Sequence, residues 1–434
     1  MTSHPGDVPA PEAPLRIAIA MDDFYPASGG IGRSVQTQVE ELVRLGHDVT
    51  IIVPDHHLER PEGATTMTVP TFYPPDSPSH MCSLTFGRRI VRNIGADKQF
   101  DVVHSQTERG SLMLAAMIAR HQGIPHVHTF HANLAGAHAN LPAQAWWGTM
   151  AYLYLMRPLL AVVCGWKPRY RNPHPSKRDL EGSLWARSDW YAISRMAAYI
   201  DALTTPSDFM LANIQTAAQG QAYGFVVPTG ASRRLTEALS RVRRRRTTEG
   251  VRFITMGRLS KEKRIGELTQ AFIKAAIPDS ELVVVGNGPE AKTVQAIAAG
   301  RADVRLRGYV RDLDELAQEL IDADVLVLSS HRFDSQAIVL AEGVVAGLPL
   351  LYCDDRLTFG PTPDNSVLTE PDADSLAAGM REIAEPSQHA RLAAGSRAIR
   401  EQMGPSATAE NYLTVYRTVI ANRAAAGPRS TPPS

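Results

Sequence analysis

The apolar run LRIAIAM at residues 15–21 leads into a loop containing PASGGIGRS. A helical pattern follows through Val35, Val39, Leu42 and Leu45, Gly46 ends it, and DVTIIVP resumes an apolar run. Strand, glycine loop, helix, strand opens a βαβ unit, and parallel strands joined in this way need helices covering the sheet. The same beat continues with FDVVHSQ (100–106), a helical stretch from Ser111 to His121, IPHVHTF (124–130), DALTTPS (201–207) and YGFVVPTG (223–230). It starts again at VRFITMGRL (251–259) and runs through ELVVVGNGPE, VRLRGYV, ADVLVLSS and LPLLYCD to a closing helix through Tyr412, Val415 and Ile420.

A chain of 434 residues exceeds what one hydrophobic core serves. The reading is therefore α/β, with two doubly wound, Rossmann-like domains facing each other across a cleft and a C-terminal helix crossing back. The expected divisions are a disordered tail at 1–13, a first domain at 14–230, a basic linker at 231–250, a second domain at 251–405, the closing helix at 406–423 and a second tail at 424–434. The arginines of RVRRRR (241–246) suit either a solvated helix face or a site for anionic headgroups or phosphates.

Lys plus Arg and Asp plus Glu balance at 45 each, which leaves no basic field for a nucleic acid partner. Cys82, Cys164 and Cys353 are widely spaced, odd in number and without metal-ligand spacing, so a reducing, cytoplasmic compartment fits and a zinc site does not. The N-terminal residues lack the basic start and apolar stretch of a signal peptide.

One segment departs from the beat. AWWGTMAYLYLMRPLLAVVCGW, 145–166, carries a single charge, and Arg157 with Pro158 interrupts it near the middle, against a membrane span. Trp146, Trp147 and Trp166 border it, and Lys167, Arg169, Arg171, Lys177 and Arg178 follow it. Aromatic and basic borders suit a segment at a membrane interface, so peripheral contact with the inner face of the cell membrane is expected through 145–178. A core helix pair or dimer face is the other reading.

Charged residues cluster after the strands of the second half. Arg258 and Lys263 follow a strand in GRLSKEK, where two cations can meet phosphate charge. After ADVLVLSS, Asp334 falls in a loop with Ser335 and Gln336, and the backbone NH groups of Ala337 and Ile338 at a helix start suit hydroxyl and phosphate oxygens. Glu342, farther along that helix, is placed to accept hydrogen bonds from ribose hydroxyls. No DxD motif stands at a convincing strand end, and Asp22–Asp23 and Asp354–Asp355 are adjacent pairs without that spacing.

GRL followed by EK, then GNGPE, then GYV, then an acid separated by seven residues from a Glu ahead of a G-x-P strand, resembles the retaining glycosyltransferases of the GT-B fold, group 1 or family 4. The resemblance spans Leu15 to about Ile420. It implies a first domain that binds acceptor and a second that binds a nucleotide diphosphate sugar of UDP or GDP type, with glucose or mannose to move and no metal. It places Arg258 and Lys263 on the diphosphate, Asp334 at the donor sugar, Glu342 at the ribose, and Gly308, Tyr309 and Val310 against the base. Gly257, Gly286 and Gly288 would let backbones close near the nucleotide, Gly29, Gly30 and Gly32 form the glycine loop, and His131, with His128 second, contacts the donor sugar. Asp334 stands where the family usually has Glu, and Ala337 where it usually has Gly. DSQ and HTFH are similar to the E-T-Q and HTYH of glycolipid-forming members, which implies a lipid acceptor. A nucleotide-sugar hydrolase or epimerase and a silent membrane-associated relative remain open.

Overall fold

The computed structural model describes residues 13–22, 29–55, 61–73, 82–140, 142–171, 184–246 and 250–425, without the side chains of 138–140, 142–146 and 184–185. The N-terminal tail before residue 13, the PAS end of the glycine loop, the Trp146 side chain, Lys177 and Arg178 lie outside what is described.

Fifteen described strands build two parallel sheets and a small hairpin. The first half supplies β1 (Arg16–Ala20), β2 (Asp48–Pro54), β3 (Thr65–Val69), β4 (Thr71–Phe72), β5 (Ser83–Leu84), β6 (Val102–Ser105), β7 (His126–Thr129), β8 (Ala202–Thr205) and β9 (Gly224–Val226). The second supplies β10 (Arg252–Met256), β11 (Glu281–Val285), β12 (Val304–Gly308), β13 (Val325–Leu328), β14 (Leu350–Tyr352) and β15 (Ser366–Leu368). Their orders are β3-β2-β1-β6-β7-β8-β9 and β12-β11-β10-β13-β14-β15, with β4–β5 an antiparallel pair. Each large sheet reverses direction of winding once, at β1/β6 and at β10/β13. Ligands of open α/β sheets bind outside the strand C-termini at such points.

The sequence dictates this locally. VLVL of β13 and most of ELVVV of β11 are buried because helices cover both faces of the sheet. Helix Gly30–Arg44 buries Val35, Val39 and Leu42 against β1 and β2, and Gly46, at φ 87°, turns the chain out of it. Helix Pro405–Ala425 returns to the first sheet, where Tyr412, Val415 and Tyr416 join the core around β1 and β2, and it runs two residues into the stretch expected as a tail. Two crossovers meet there: Ala231 N–H donates to Met403 O, and a Cβ on Gly230 would sit 2.3 Å from Gly404 O.

Most arginines of the basic stretch are exposed, as a solvated face would be, but three of them are also held by acids. Ser232 caps helix Arg233–Arg241, and the run beyond it is fastened to the second sheet: Arg241 pairs with Asp314, Arg244 with Asp324 and Arg246 with Asp324. The acids that neutralise these arginines lie in the second half of the chain, out of sight of a local reading.

Candidate functional site

Two strand edges face each other. On the second sheet, β10 ends in Gly257 and β11 in Gly286, both at positive φ (150° and 140°), and a Cβ on Gly286 would stand 1.8 Å from Gly257 O. Only glycine allows these turns to touch. Gly286 N–H donates to Gly308 O at the end of β12, so three strand ends close into one shelf, with Gly288 packed under Leu259 and Tyr309 exposed beyond it. Arg258 stands exposed at the rim of this shelf, and its side chain has no hydrogen bond or ion pair among the described residues.

Lys263 leaves the short 3-10 turn after β10, and its Nζ reaches Asp334 Oδ1 at 2.5 Å while lying 5.6 Å from the centre of the Phe333 ring. Ser330 donates to the other carboxylate oxygen, also at 2.5 Å. The loop 331–336 that carries Asp334 is held from several sides. Arg332, at φ 52°, donates its N–H to Asp354, which Arg356 fixes in turn. Asn133 Nδ2 donates to Phe333 O at 3.0 Å from the first half. A backbone outlier held by so many bonds marks a loop whose position matters.

Gln336 was expected at the donor, but its amide is committed elsewhere: Oε1 accepts from Thr229 N and Nε2 donates to Thr229 O, at 2.8 and 2.7 Å. Ser335 is half-buried in the same loop. Ala337 precedes helix Ile338–Ala346, whose first amides have no capping side chain. Glu342 is 1% exposed on that helix, with Gly343 packed on Leu350 and Leu326, and its carboxylate is bonded to Arg33 from the first half. Val310 packs partly buried against the same core.

Apart from Arg33, the facing edge is built from neutral groups. Gly29, at φ 60°, starts helix Gly30–Arg44, and Gly32 is buried in its first turn. His131 Nε2 donates to Gln106 Oε1 at 2.7 Å, and Gln106 in turn donates to Gln38. His128 is fully buried and bonds Ser105, which also bonds His126. Burial holds all of these imidazoles neutral: His126 and His131 drop to about 4, and His104 and His128 fall well below the usual value. Asp22 lies two residues past β1 and is fully committed to hydrogen bonds within the first half. It accepts from Leu84 N, Thr107 Oγ1 and Ser111 N, fixing the start of helix Gly110–Gln122, and burial raises its pKa. Among the described residues no group of three or more His, Cys, Asp or Glu could hold a metal ion.

The family model for Glycosyltransferase Family 4 matches residues 28–232, and that for Glycosyl transferases group 1 matches 250–385. The chain belongs to the group 1 glycosyltransferases of the GT-B fold. An alpha-monoglucosyldiacylglycerol synthase of Acholeplasma laidlawii is 23% identical over 78% of this chain and 80% of its own length. A GDP-mannose-dependent alpha-mannosyltransferase of Mycobacterium tuberculosis is 23% identical over 78% and 79%. In fold, the glycosyltransferase resembles Anabaena HepE in complex with UDP, with a TM-score of 0.65, 14% identity and 93% and 100% coverage. It also resembles the sucrose-phosphate synthase of Thermosynechococcus elongatus, at 0.64, 17%, 94% and 100%.

The glycosyltransferase also carries an apolar stripe on its first half. Helix Pro142–Ala151 passes through a π-helical turn, Tyr152–Met156, into helix Arg157–Val163. One side packs Tyr152, Met156 and Leu160 against Trp190 and Ile193. The other leaves Trp147 and Tyr154 70% and 75% exposed, with Leu155, Val162 and Trp166 exposed beside them. No helix among the described residues is long and apolar enough to cross a membrane.

Sequence reasoning missed Arg33, Asn133 and Phe333. Arg33 lies inside the quoted GGIGR, and Asn133 two residues after HTFH, but each acquires its meaning from a partner in the other half of the chain.

Proposed function

We propose that this glycosyltransferase moves glucose or mannose from a UDP- or GDP-linked donor to a hydroxyl of a membrane lipid, with retention of anomeric configuration and without a metal. The observation that carries the reading is the gathering, at the β10/β13 switch point, of Arg258, the Lys263–Asp334 pair and the buried Glu342 around an uncapped helix start. In this reading Arg258 and Lys263 hold the diphosphate, Asp334 and His131 the sugar, Glu342 the ribose, and the glycine shelf the base. Gln336 acts by tying the Asp334 loop to Thr229 rather than by touching the donor.

The chemistry is a front-face displacement. The acceptor hydroxyl oxygen bonds to the anomeric carbon on the side from which the diphosphate departs, the bond to the diphosphate oxygen breaks, and a phosphate oxygen takes the hydroxyl proton. The fixed cations lower the barrier by meeting charge as it develops on the phosphate, and positioning supplies much of the rest. His131, neutral at physiological pH with its one N–H given to Gln106, has Nδ1 left to accept a hydrogen bond from a sugar hydroxyl, and it gives up no proton.

The lipid acceptor is supported by the exposed stripe from Trp147 to Trp166, whose aromatic residues suit the headgroup region, and by the acceptor named in the Acholeplasma relative. The test is incubation of the purified protein with UDP-glucose or GDP-mannose and vesicles containing diacylglycerol or phosphatidylinositol, with NMR of the product's anomeric proton. An α-linked glycolipid is expected. Release of free sugar at the same rate without vesicles would make the enzyme a hydrolase, and a β-linked product would remove the retaining mechanism.

A further inference from the structure

Arg33 sits in the first turn of helix Gly30–Arg44, three residues past the glycine that opens that helix, and its guanidinium bonds a carboxylate oxygen of Glu342, 309 residues away. Glu342 is almost completely buried, whereas the Arg33 side chain keeps 37% of its surface. The partner that moves more freely is therefore the arginine.

This inference rests on the assignment of Glu342 to ribose. A carboxylate that takes both ribose hydroxyls, one on each oxygen, brings a hydroxyl to the Oε1 that the guanidinium holds, and the two donors compete for it. The Arg33 side chain is rooted at the start of a helix on one lip of the cleft and reaches a helix on the other. The space it spans is the one that phosphates would occupy between two helix N-termini, where anions are favoured. A diphosphate carries more charge than a carboxylate, and a guanidinium can hold two of its oxygens at once.

We propose that Arg33 is a donor-site residue that exchanges partners: ribose hydroxyls take Glu342, and the released guanidinium passes to the diphosphate as a third cation beside Arg258 and Lys263. The same movement explains how the first domain senses a donor held by the second, since the arginine belongs to one half and every ligand of the ribose to the other. Lys263 and Asp334 form a matching pair within the second half, so each of the two acids eight residues apart holds a cation.

The test compares binding of nucleoside monophosphates with that of the corresponding diphosphates, using UMP and UDP, GMP and GDP, and AMP and ADP, by isothermal titration calorimetry on wild type, Arg33→Ala, Arg33→Lys, Glu342→Gln and Arg258→Ala. For the base that binds, Arg33→Ala is expected to weaken the diphosphate at least tenfold while leaving the monophosphate unchanged or tighter. Arg33→Lys restores part of the preference, and Glu342→Gln weakens both nucleotides alike. An unchanged preference in Arg33→Ala, or equal weakening of both nucleotides, overturns the exchange and leaves Arg33 a structural partner of Glu342. Failure of the underlying reading looks different: no nucleotide binds wild type, or Arg258→Ala leaves diphosphate binding untouched, and the inference then falls with it.

Discussion

The two lips of the cleft solve different problems with different chemistry. On the second sheet the strand ends carry Arg258, Lys263, Asp334 and Glu342 on a glycine shelf, so the lip is made of charge held at a few fixed points. On the first sheet the equivalent edge is a buried lattice of His104, His128, His131, Gln106 and Gln38 in which every imidazole is held neutral. A lip that must meet a polyanion needs partly exposed cations. A lip that must orient a neutral sugar and hydroxyl needs hydrogen-bonding groups that stay where they are. Most of the lattice's ring and amide groups are hydrogen-bonded to one another, which stiffens the edge, while His128 Nε2 is buried with no partner among the described residues.

The comparison breaks most readily at the charged lip. Arg258→Ala removes a cation whose side chain supports nothing else among the described residues, so the fold should keep its melting temperature while transfer falls by about 10²–10³-fold, the usual cost of losing one group that stabilises developing charge. Initial rates at saturating acceptor, with a thermal melt alongside, make the measurement. A rate within threefold of wild type would leave the charged lip without its assigned role.

The proposed membrane contact falls to the first half, which carries the exposed stripe. Trp147→Gln, Tyr154→Gln and Leu155→Gln together remove three exposed side chains worth roughly 1 kcal/mol each when half immersed. Cosedimentation with anionic vesicles should therefore show binding weakened by about 100-fold, with turnover of a short-chain, water-soluble acceptor unchanged. Loss of activity on both acceptors would mean that the stripe is a folding surface.

The neutral lip is tested by acid. His131 and His126 titrate near 6.5 in an unfolded chain and at about 4 in the fold. Between those values the unfolded chain holds the proton and the folded one does not, so stability is full above about pH 6.5 and falls as pH drops through that window. Going from pH 7 to pH 5 should cost roughly 2 kcal/mol for each such histidine. His131→Gln keeps a donor to Gln106 but cannot titrate, so its melting temperature should fall less over the same interval. Asp22, raised by burial, contributes with the opposite sign in both proteins and cancels from the difference. Parallel pH profiles for the two proteins would remove His131 from the neutral lattice.

Legibility follows the same division. The shelf and its cations could be read because the strand, the glycine and the charge lie within a few residues of one another in GRLSKEK and GNGPE. HTFH pointed to the neutral edge for the same local reason. Polar, alternating TTMTV of β3, the two-residue strands β4 and β5 and three-residue β15 lack the apolar runs that gave the other strands away. The arginines at 241–246 are largely solvent-facing as read, but their partners Asp314 and Asp324 stand some 70–80 residues further on and gave no local sign. Arg33 with Glu342 and Asn133 with Phe333 are contacts between halves of the chain, and no local pattern encodes where two domains will touch.

Gln336 is one of the points where the two lips are tied together, and it gives the smallest and most specific test. Its amide is read as both donor and acceptor by the backbone of Thr229, which also bonds Ser34 through its hydroxyl at 2.6 Å. Gln336→Glu keeps size and the acceptor oxygen but faces Thr229 O with a second oxygen in place of the amide nitrogen, at a cost of about 1 kcal/mol for the hydrogen bond lost and somewhat more for the opposed acceptors. The expected outcome is a melting temperature lower by a few degrees and a kcat reduced less than tenfold, because the Asp334 loop two residues away loses one of its anchors, with diphosphate affinity nearly unchanged. A large loss of diphosphate affinity at unchanged melting temperature would return Gln336 to the donor, where its position after Asp334 had suggested it, and would shift the boundary between the lips by one residue type.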